Sequence, residues 1–296
     1  MSPDEREALA RELFAVHVQI FTGLDFEGFR QYVIDRPSWR TWVYVRHNPA
    51  GKLVGYTAIH AFLRSLQGKA ATIIRMEAGT LREARGRDVT MVYGLLRLMR
   101  IWMRYPLRRV YMFAALTHPS SYTFLARYVP GIWPHADRHP VPTKVMAQME
   151  ELAEAFHLER VHGDNPLVRQ VNWVTIESDE ERARWQNSER TDTRFYCAQN
   201  PGYGEGHGLV SLLPLTMTAL SRALARFLTL RATRLARLTF SREQRKRTRA
   251  NAARGLNRAA AGRIRVVAAG SARRTPACGR SAGGPCWPAC ACAARG

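Results

Sequence analysis

The spacing of apolar residues predicts that the chain begins with two helices. Apolar side chains recur at intervals of three and four residues, the period of an amphipathic helix: Leu9, Leu13, Val16 and Ile20. A second, shorter helix is expected from Phe26 to Ile34, and Pro37 ends it because proline cannot continue a helix.

Three strands are predicted to follow these helices. The runs TWVYVRHN (41–48) and LVGYTAIHAF (53–62) are rich in β-branched and aromatic residues. They flank the turn Asn48-Pro49-Ala50-Gly51, so we expect an antiparallel hairpin. A third strand, roughly 70–81, follows the Gln67-Gly68 turn.

A helical period then returns between Gly86 and Pro106, followed by the buried-looking strand RVYMFAAL (109–116) and a short helix ending near Tyr128. A helix that lies between two strands of one sheet is placed to cross between them. The expected fold class is therefore mixed α/β, with a mainly antiparallel central sheet flanked by helices.

The C-terminal half is predicted to contain a helix at 143–157 and final strands at 171–178 and 194–200, before the turn-rich hinge PGYGEGHG. Leucines and arginines alternate in a helical pattern from Leu209 to about Leu238. We interpret this segment as an amphipathic helical extension. It either packs on its own domain or lies on an anionic membrane surface.

Charge separates the chain into regions. The net charge is +21, but residues 231–296 alone carry 16 Lys/Arg and one acidic residue. We therefore predict a folded domain at 1–205, the helical extension at 206–240, and a basic, disordered tail at 241–296. Such a tail binds nucleic acid or anionic membranes non-specifically, and salt weakens that binding.

The remaining composition narrows the class of protein. No run of 18 apolar residues occurs, and the acidic N-terminus is unlike a signal peptide, so we expect a cytoplasmic protein, with peripheral membrane attachment as the alternative. Four cysteines crowd the tail, and a zinc site is the alternative to a disordered end. Their spacings do not form paired knuckles, so we expect no metal: Cys278, Cys286, Cys290 and Cys292.

Residues 81–90 (LREARGRDVT) are the most informative segment. The segment lies between a strand and a helix, where unpaired backbone N–H groups and the helix dipole attract anions. Its arginines add charge-assisted hydrogen bonds to phosphate oxygens, and Asp88 is suited to cap the helix. The alternative is a solvated basic loop.

Three ordered pieces of residues 8–135 resemble the GNAT acyltransferase superfamily. They are the hairpin with a Val-Gly pair after its Gly-Lys turn, the loop Arg85-Gly86-Arg87-Asp88-Val89-Thr90, and the strand VYMFAAL with the helix after His118. The resemblance implies acetyl-CoA or another acyl-CoA as co-substrate and an amine as acceptor. It places the cofactor on these residues: Leu81, Arg82, Arg85, Gly86, Arg87, Asp88, Val89, Thr90 and Ser121.

The sequence departs from the family pattern at two places. Asp88 and Thr90 stand where small residues are usual, and Leu125 stands where many members have a tyrosine that protonates the departing thiolate. Tyr122 and Tyr128, one turn to either side, are the substitute catalytic candidates, and core packing is the alternative for both.

Glu77 is the candidate base. A carboxylate inside TIIRMEAGTL is costly to bury unpaired, and a raised pKa would suit it to accept a proton from the amine. Pairing with Arg75 or simple exposure is the alternative, and His60 is a weaker candidate. The function hypothesis is an acyl-CoA-dependent N-acyltransferase. The alternatives are a non-catalytic acyl-CoA-binding module and a nucleic-acid- or membrane-associated protein acting through its basic C-terminal region.

Overall fold

The computed structural model describes residues 2–85, 90–129, 131–161, 165–229 and 232–233, and for residues 90–93 only the backbone. The described strands are β1 (Phe21–Thr22), β2 (Arg40–His47), β3 (Leu53–Leu66), β4 (Lys69–Thr80), β5 (Arg109–Leu116), β6 (Val168–Gln170), β7 (Val174–Thr175) and β8 (His207–Pro214). The helices are α1 (Pro3–His17), α2 (Phe26–Phe29, continued by a π-type turn, Arg30–Ile34), α3 (Thr90–Arg104), α4 (Pro119–Tyr128), α5 (Thr143–Ala155), α6 (Asp179–Gln186) and α7 (Thr191–Gln199). Residues 217–229 form a further helix, here called the C-terminal helix.

Six strands form the central sheet in the order β2-β3-β4-β5-β8-β6, and β1 pairs with β7 beside it. Within the described residues, β4 and β5 are the one parallel pair, and α3 crosses between them. All other neighbours are antiparallel. The predicted fold class, a mainly antiparallel mixed sheet flanked by helices, is confirmed.

Local sequence accounts for the first strands. In the turn between β2 and β3, the side chain of Asn48 accepts hydrogen bonds from the N–H groups of Ala50 and Lys52. Gly51 adopts a φ of 79°, which favours glycine. The predicted hairpin, the third strand and the crossover helix are therefore confirmed.

Apolar layers hold the helices to the sheet, and the layer under α1 and α2 lies beside the site. On one side, α1 and α2 bury Leu13 and Phe29 against Tyr56 of β3 and Trp173. Each such side chain contributes about 1.5–3 kcal/mol on burial. α1 begins with a capping box between Ser2 and Glu5, which satisfies two of its free N–H groups.

Two of the predicted C-terminal elements are wrong. Residues 194–199 belong to α7 and Asn200 caps it: Thr193, Tyr196 and Asn200 are buried at helical intervals, and the Tyr196 hydroxyl donates to the Leu116 carbonyl at 2.8 Å. Of residues 171–178, only Val174–Thr175 is a strand, and it pairs with β1 instead of joining the central sheet.

The start of the predicted helical extension also needs correction. Residues 207–214 form β8, which lies inside the central sheet between β5 and β6. β8 is an almost continuous run of buried residues, as expected of a strand inside a sheet. Such an apolar run fits a buried strand as well as a buried helix, so its period does not distinguish the two. The sheet thus continues past residue 205, while 241–296 and most of 230–240 lie outside the described residues.

The helices in the described part of the chain are too short or too polar to cross a membrane. The cysteine-rich segment and the basic run after residue 240 lie outside the described residues.

Candidate functional site

Strands β4 and β5 separate in the middle of the sheet. Their parallel ladder covers only Ala71–Ile74 opposite Arg109–Met112, although β4 runs on to Thr80 and β5 to Leu116. Beyond the ladder, β4 stays paired with β3, and β5 stays paired with β8. The facing backbone edges therefore have N–H and C=O groups free of ladder bonds, which makes this gap a binding feature.

A cavity of about 100 Å³, here called the polar cavity, lies at the gap. Residues 75–78 of β4 and residues 114–117, at the end of β5, form its two walls. Phe21, Tyr32 and Trp173 add an aromatic wall, and Ser121 of α4 also lines it. The predicted site residues Glu77 and Ser121 thus meet at one place.

Glu77 is buried within a cluster of basic side chains. Its Oε1 lies 3.0 Å from Nη1 of Arg36 and 3.9 Å from Nε of Arg75. Its Oε2 lies 3.1 Å from Nε2 of His60, at ion-pair distance but outside hydrogen-bond alignment. His60 in turn contacts the hydroxyl of Thr41 through Nδ1 at 2.8 Å.

The expected raised pKa of Glu77 is wrong. Burial raises the pKa, but the interaction with His60 and the charges of Arg36 and Arg75 together outweigh burial and lower it. Glu77 is therefore ionised at neutral pH. Sequence reasoning missed Arg36, which lies 41 residues away, because no local pattern links the two side chains.

A second cavity, of about 150 Å³ and here called the apolar cavity, lies on the opposite face of β4. Side chains alternate along a strand, so Met76 and Ala78 face this cavity while Arg75 and Glu77 face the other side. Its remaining walls come from α3, α4 and the C-terminal helix, and are almost entirely apolar: Leu95, Leu98, Phe124, Leu125, Leu220 and Ala223.

The described part of the predicted cofactor loop, residues 81–85, is hydrogen-bonded to α6 and to the segment that precedes α6. Leu81 is buried, and Arg82 donates to the Ile176 carbonyl at 3.2 Å and to Oε2 of Glu181 at 2.5 Å. Arg85 donates to the Thr80 carbonyl at 3.2 Å. Burial, followed by the charge of Arg82, lowers the pKa of Arg85.

The rest of that loop is not among the described residues: Gly86, Arg87, Asp88 and Val89 lie outside them, and for Thr90 only the backbone, at the start of α3, is described. Its placement between β4 and α3 agrees with the expected position of the loop. Its contact with a phosphate stays a prediction.

The two candidate tyrosines pack away from the cavities. Tyr122 is fully buried, and its hydroxyl donates to the Pro134 carbonyl at 3.0 Å. The ring of Tyr128 packs between Phe124 and Phe227. Neither tyrosine lines the polar cavity or the apolar cavity, so the geometry favours core packing for both.

A buried pair that sequence reasoning missed lies at the junction of β5 and α4. His118 Nε2 is 3.1 Å from Oε2 of Glu177, and Arg182 contacts the other oxygen of that carboxylate at 3.1 Å. Burial lowers the pKa of His118 despite the opposing effect of Glu177. The sequence signal that could have identified this pair is the position of His118, between the end of a strand and the start of a helix.

No protein-family model matches the chain, and no curated protein matches it. Among solved structures, the chain is similar to an acetyltransferase of the GNAT family from Streptococcus pneumoniae. The identity is 14%, the TM-score is 0.31, and the match covers 45% of this chain and 84% of the other. It is also similar to NAA60 of Arabidopsis thaliana in complex with acetyl-CoA, at 15% identity and a TM-score of 0.30, with 45% and 84% covered.

Proposed function

We propose that this chain is an acyl-CoA-dependent N-acyltransferase. The observation that carries the proposal is the separation of β4 and β5, which leaves free backbone groups beside a cavity at the centre of the sheet. N–H groups held in such a gap polarise a thioester carbonyl and stabilise the charge that develops on its oxygen when an amine attacks. The resemblance of residues 8–135 to the GNAT superfamily agrees with this chemistry.

The two cavities give the reactants separate approaches. The apolar cavity suits the aliphatic part of an acyl thioester, because leucine side chains of α3 and α4 line it. The polar cavity suits the amine, because Oε2 of Glu77, which has no hydrogen-bond donor among the described residues, can accept a hydrogen bond from an amino group. The reacting atoms would then meet between residues 75–78 and 114–117.

The cofactor's pyrophosphate is proposed to lie at the start of α3, on Arg85 and the segment 86–90. Arg82 contributes only if its bond to Glu181 is exchanged for one to phosphate, because that arginine is already paired. An exchange of this kind costs little, since the Arg82 side chain is half exposed and exposed ion pairs contribute about 0–1 kcal/mol.

A non-catalytic acyl-CoA-binding module is the second candidate. It is favoured by Leu125, which lines the apolar cavity where a proton donor for the thiolate is expected. The hydroxyl of Tyr122 is held by Pro134 and cannot reach that position without repacking the core. If the chain is instead the acyltransferase, solvent has to protonate the departing thiolate.

A thermal-shift titration with acetyl-CoA and longer acyl-CoAs tests binding, because a ligand at 100 times its dissociation constant stabilises by about 2.7 kcal/mol. We expect Arg85→Glu to abolish the shift, whereas Arg100→Glu, on the exposed side of α3, should retain it. The absence of a shift with every acyl-CoA would overturn the proposal. Release of free thiol on adding an amine separates the enzyme from the binding module.

A further inference from the structure

Two buried N–H donors line the polar cavity without partners. Arg75 is 3% exposed and Trp173 is 6% exposed, and both line this cavity. Within the described residues, neither Nη1 of Arg75 nor Nε1 of Trp173 has a hydrogen-bond acceptor. Buried donors in folded proteins are nearly always paired, because leaving one unpaired costs its full desolvation penalty. These two donors therefore lack an acceptor, which a bound molecule can supply, and Oε2 of Glu77 in the same cavity likewise lacks a donor.

The charges around the cavity point to an anionic acceptor. Arg36 donates to Oε1 of Glu77 at 3.0 Å, and Nε2 of His60 lies 3.1 Å from Oε2 outside hydrogen-bond alignment, whereas Arg75 lies 3.9 Å from that carboxylate. Counting Arg36, Arg75 and Glu77, two arginines face one carboxylate. The excess positive charge lies on Arg75, whose Nη2 donates to the neutral hydroxyl of Tyr32 at 2.6 Å.

We propose that the polar cavity binds the carboxylate of an amino-acid acceptor, with Arg75 and Trp173 as the donors. A carboxylate has two oxygens that accept both N–H groups, and its charge neutralises the excess on Arg75. Glu77, in the same cavity, faces the amino group of the same molecule. Phe21 and Tyr32 contact the apolar part of its side chain.

This inference rests on the proposed function only for the transfer step, since binding of the amino acid needs no acyl-CoA. Calorimetric titration of the full chain with glycine, L-leucine and L-phenylalanine, each against its decarboxylated amine, measures the contribution of the carboxylate. The matching amines are methylamine for glycine, isoamylamine for L-leucine and phenethylamine for L-phenylalanine. We expect the amino acid that binds best to bind about tenfold or more tightly than its own matching amine, as a hydrogen bond to a charged group implies.

Two variants test the assigned donors. Arg75→Gln should remove the preference for the carboxylate, and Trp173→Phe, which keeps an aromatic ring but loses the N–H, should reduce it about threefold to tenfold. Arg97→Gln is the matched control, because Arg97 also donates to a tyrosine hydroxyl, that of Tyr44, at 2.9 Å, but does not line the polar cavity. Trp173→Phe keeps the test valid if Arg75→Gln fails to fold.

Three outcomes would overturn the inference. The first is equal binding of an amino acid and its decarboxylated amine, and the second is no binding of any of the three amino acids at millimolar concentration. The third is an unchanged preference for the amino acid over its amine in both Trp173→Phe and Arg75→Gln. If Arg75→Gln does not fold, an unchanged preference in Trp173→Phe alone has the same meaning. A missing thermal shift with acyl-CoA, in contrast, contradicts the proposed function and leaves the amino-acid site standing.

Discussion

The two faces of the β4–β5 gap differ in chemistry although one short stretch of β4, residues 75–78, contributes to both. One face presents Arg75 and Glu77 to a charged, aromatic cavity, and the other presents Met76 and Ala78 to an aliphatic one. Strand alternation alone produces this difference. A single strand can therefore separate a polar reactant from an apolar one while keeping both beside the same backbone.

The two faces also differ in what covers them. The C-terminal helix closes the apolar face with Leu220, Ala223 and Phe227, all of them buried, whereas Leu228 on the same helix is 55% exposed. Of the two roles considered for this amphipathic segment, the structure favours packing on its own domain. The arginines on its outer side are left for solvent.

The largest effect is expected from a charge on the apolar face. Leu220→Asp buries an unpaired carboxylate and should destabilise the chain by about 3–5 kcal/mol, as a buried charge without a partner does. Leu228→Asp, on the exposed side of the same helix, should change the free energy of unfolding by no more than about 0.5 kcal/mol. Urea denaturation measures both. Equal effects would show that the helix does not pack where it is placed.

Removing the charge on the polar face should cost slightly less. Glu77→Gln leaves Arg36 and Arg75 without their shared carboxylate, and we expect a loss of about 2–4 kcal/mol at neutral pH. Because the pKa of Glu77 is lowered on folding, its contribution is present above the ordinary value of 4.5 and disappears as the pH falls through the folded value.

Denaturation at several pH values checks this direction. The variant should lose less stability than the wild type on acidification below 4.5. Glu27→Gln is the control, because Glu27 pairs with Arg30 at an exposed position, where solvent screens the interaction. A wild-type chain and a Glu77→Gln variant with parallel acid profiles would contradict the assignment.

His17, buried at the C-terminal end of α1, gives the chain a second pH dependence. Burial lowers its pKa from 6.5 to about 4, so the unfolded chain binds a proton that the folded chain does not. Stability should therefore fall by about 2–3 kcal/mol as the pH drops from 6.5 to 4, and His17 should add no further loss below that. His17→Gln should flatten this slope, whereas His47→Gln, at an exposed position, should leave it unchanged.

The smallest effect should be a gain. A Cβ added at Gly94 in α3 meets Met76 Cε at 3.8 Å and Ile59 Cδ1 at 3.9 Å, which are ordinary contacts. Gly94→Ala should therefore stabilise the chain by about 0.5–1 kcal/mol while narrowing the apolar cavity and weakening acyl-CoA binding. Gly131→Ala, at a φ of 106°, should have the opposite effect on the melting temperature.

The sequence by itself determined the elements whose signal is local. The hairpin of β2 and β3, the crossover helix α3 and the helix after β5 were predictable because turns, caps and apolar periods are written in neighbouring residues. The placement of Glu77 on a wall of the site followed from the same pattern. Its charged surroundings did not.

Tertiary structure decided the features that depend on distant partners. The segment 194–199 is helical because Tyr196 packs against β5 and donates to the Leu116 carbonyl, and 207–214 is a strand because β5 and β6 flank it on both sides. The pKa of Glu77 is lowered because Arg36, 41 residues away, is folded against it. Packing brings such groups together across long stretches of chain, so no window of neighbouring residues contains the information.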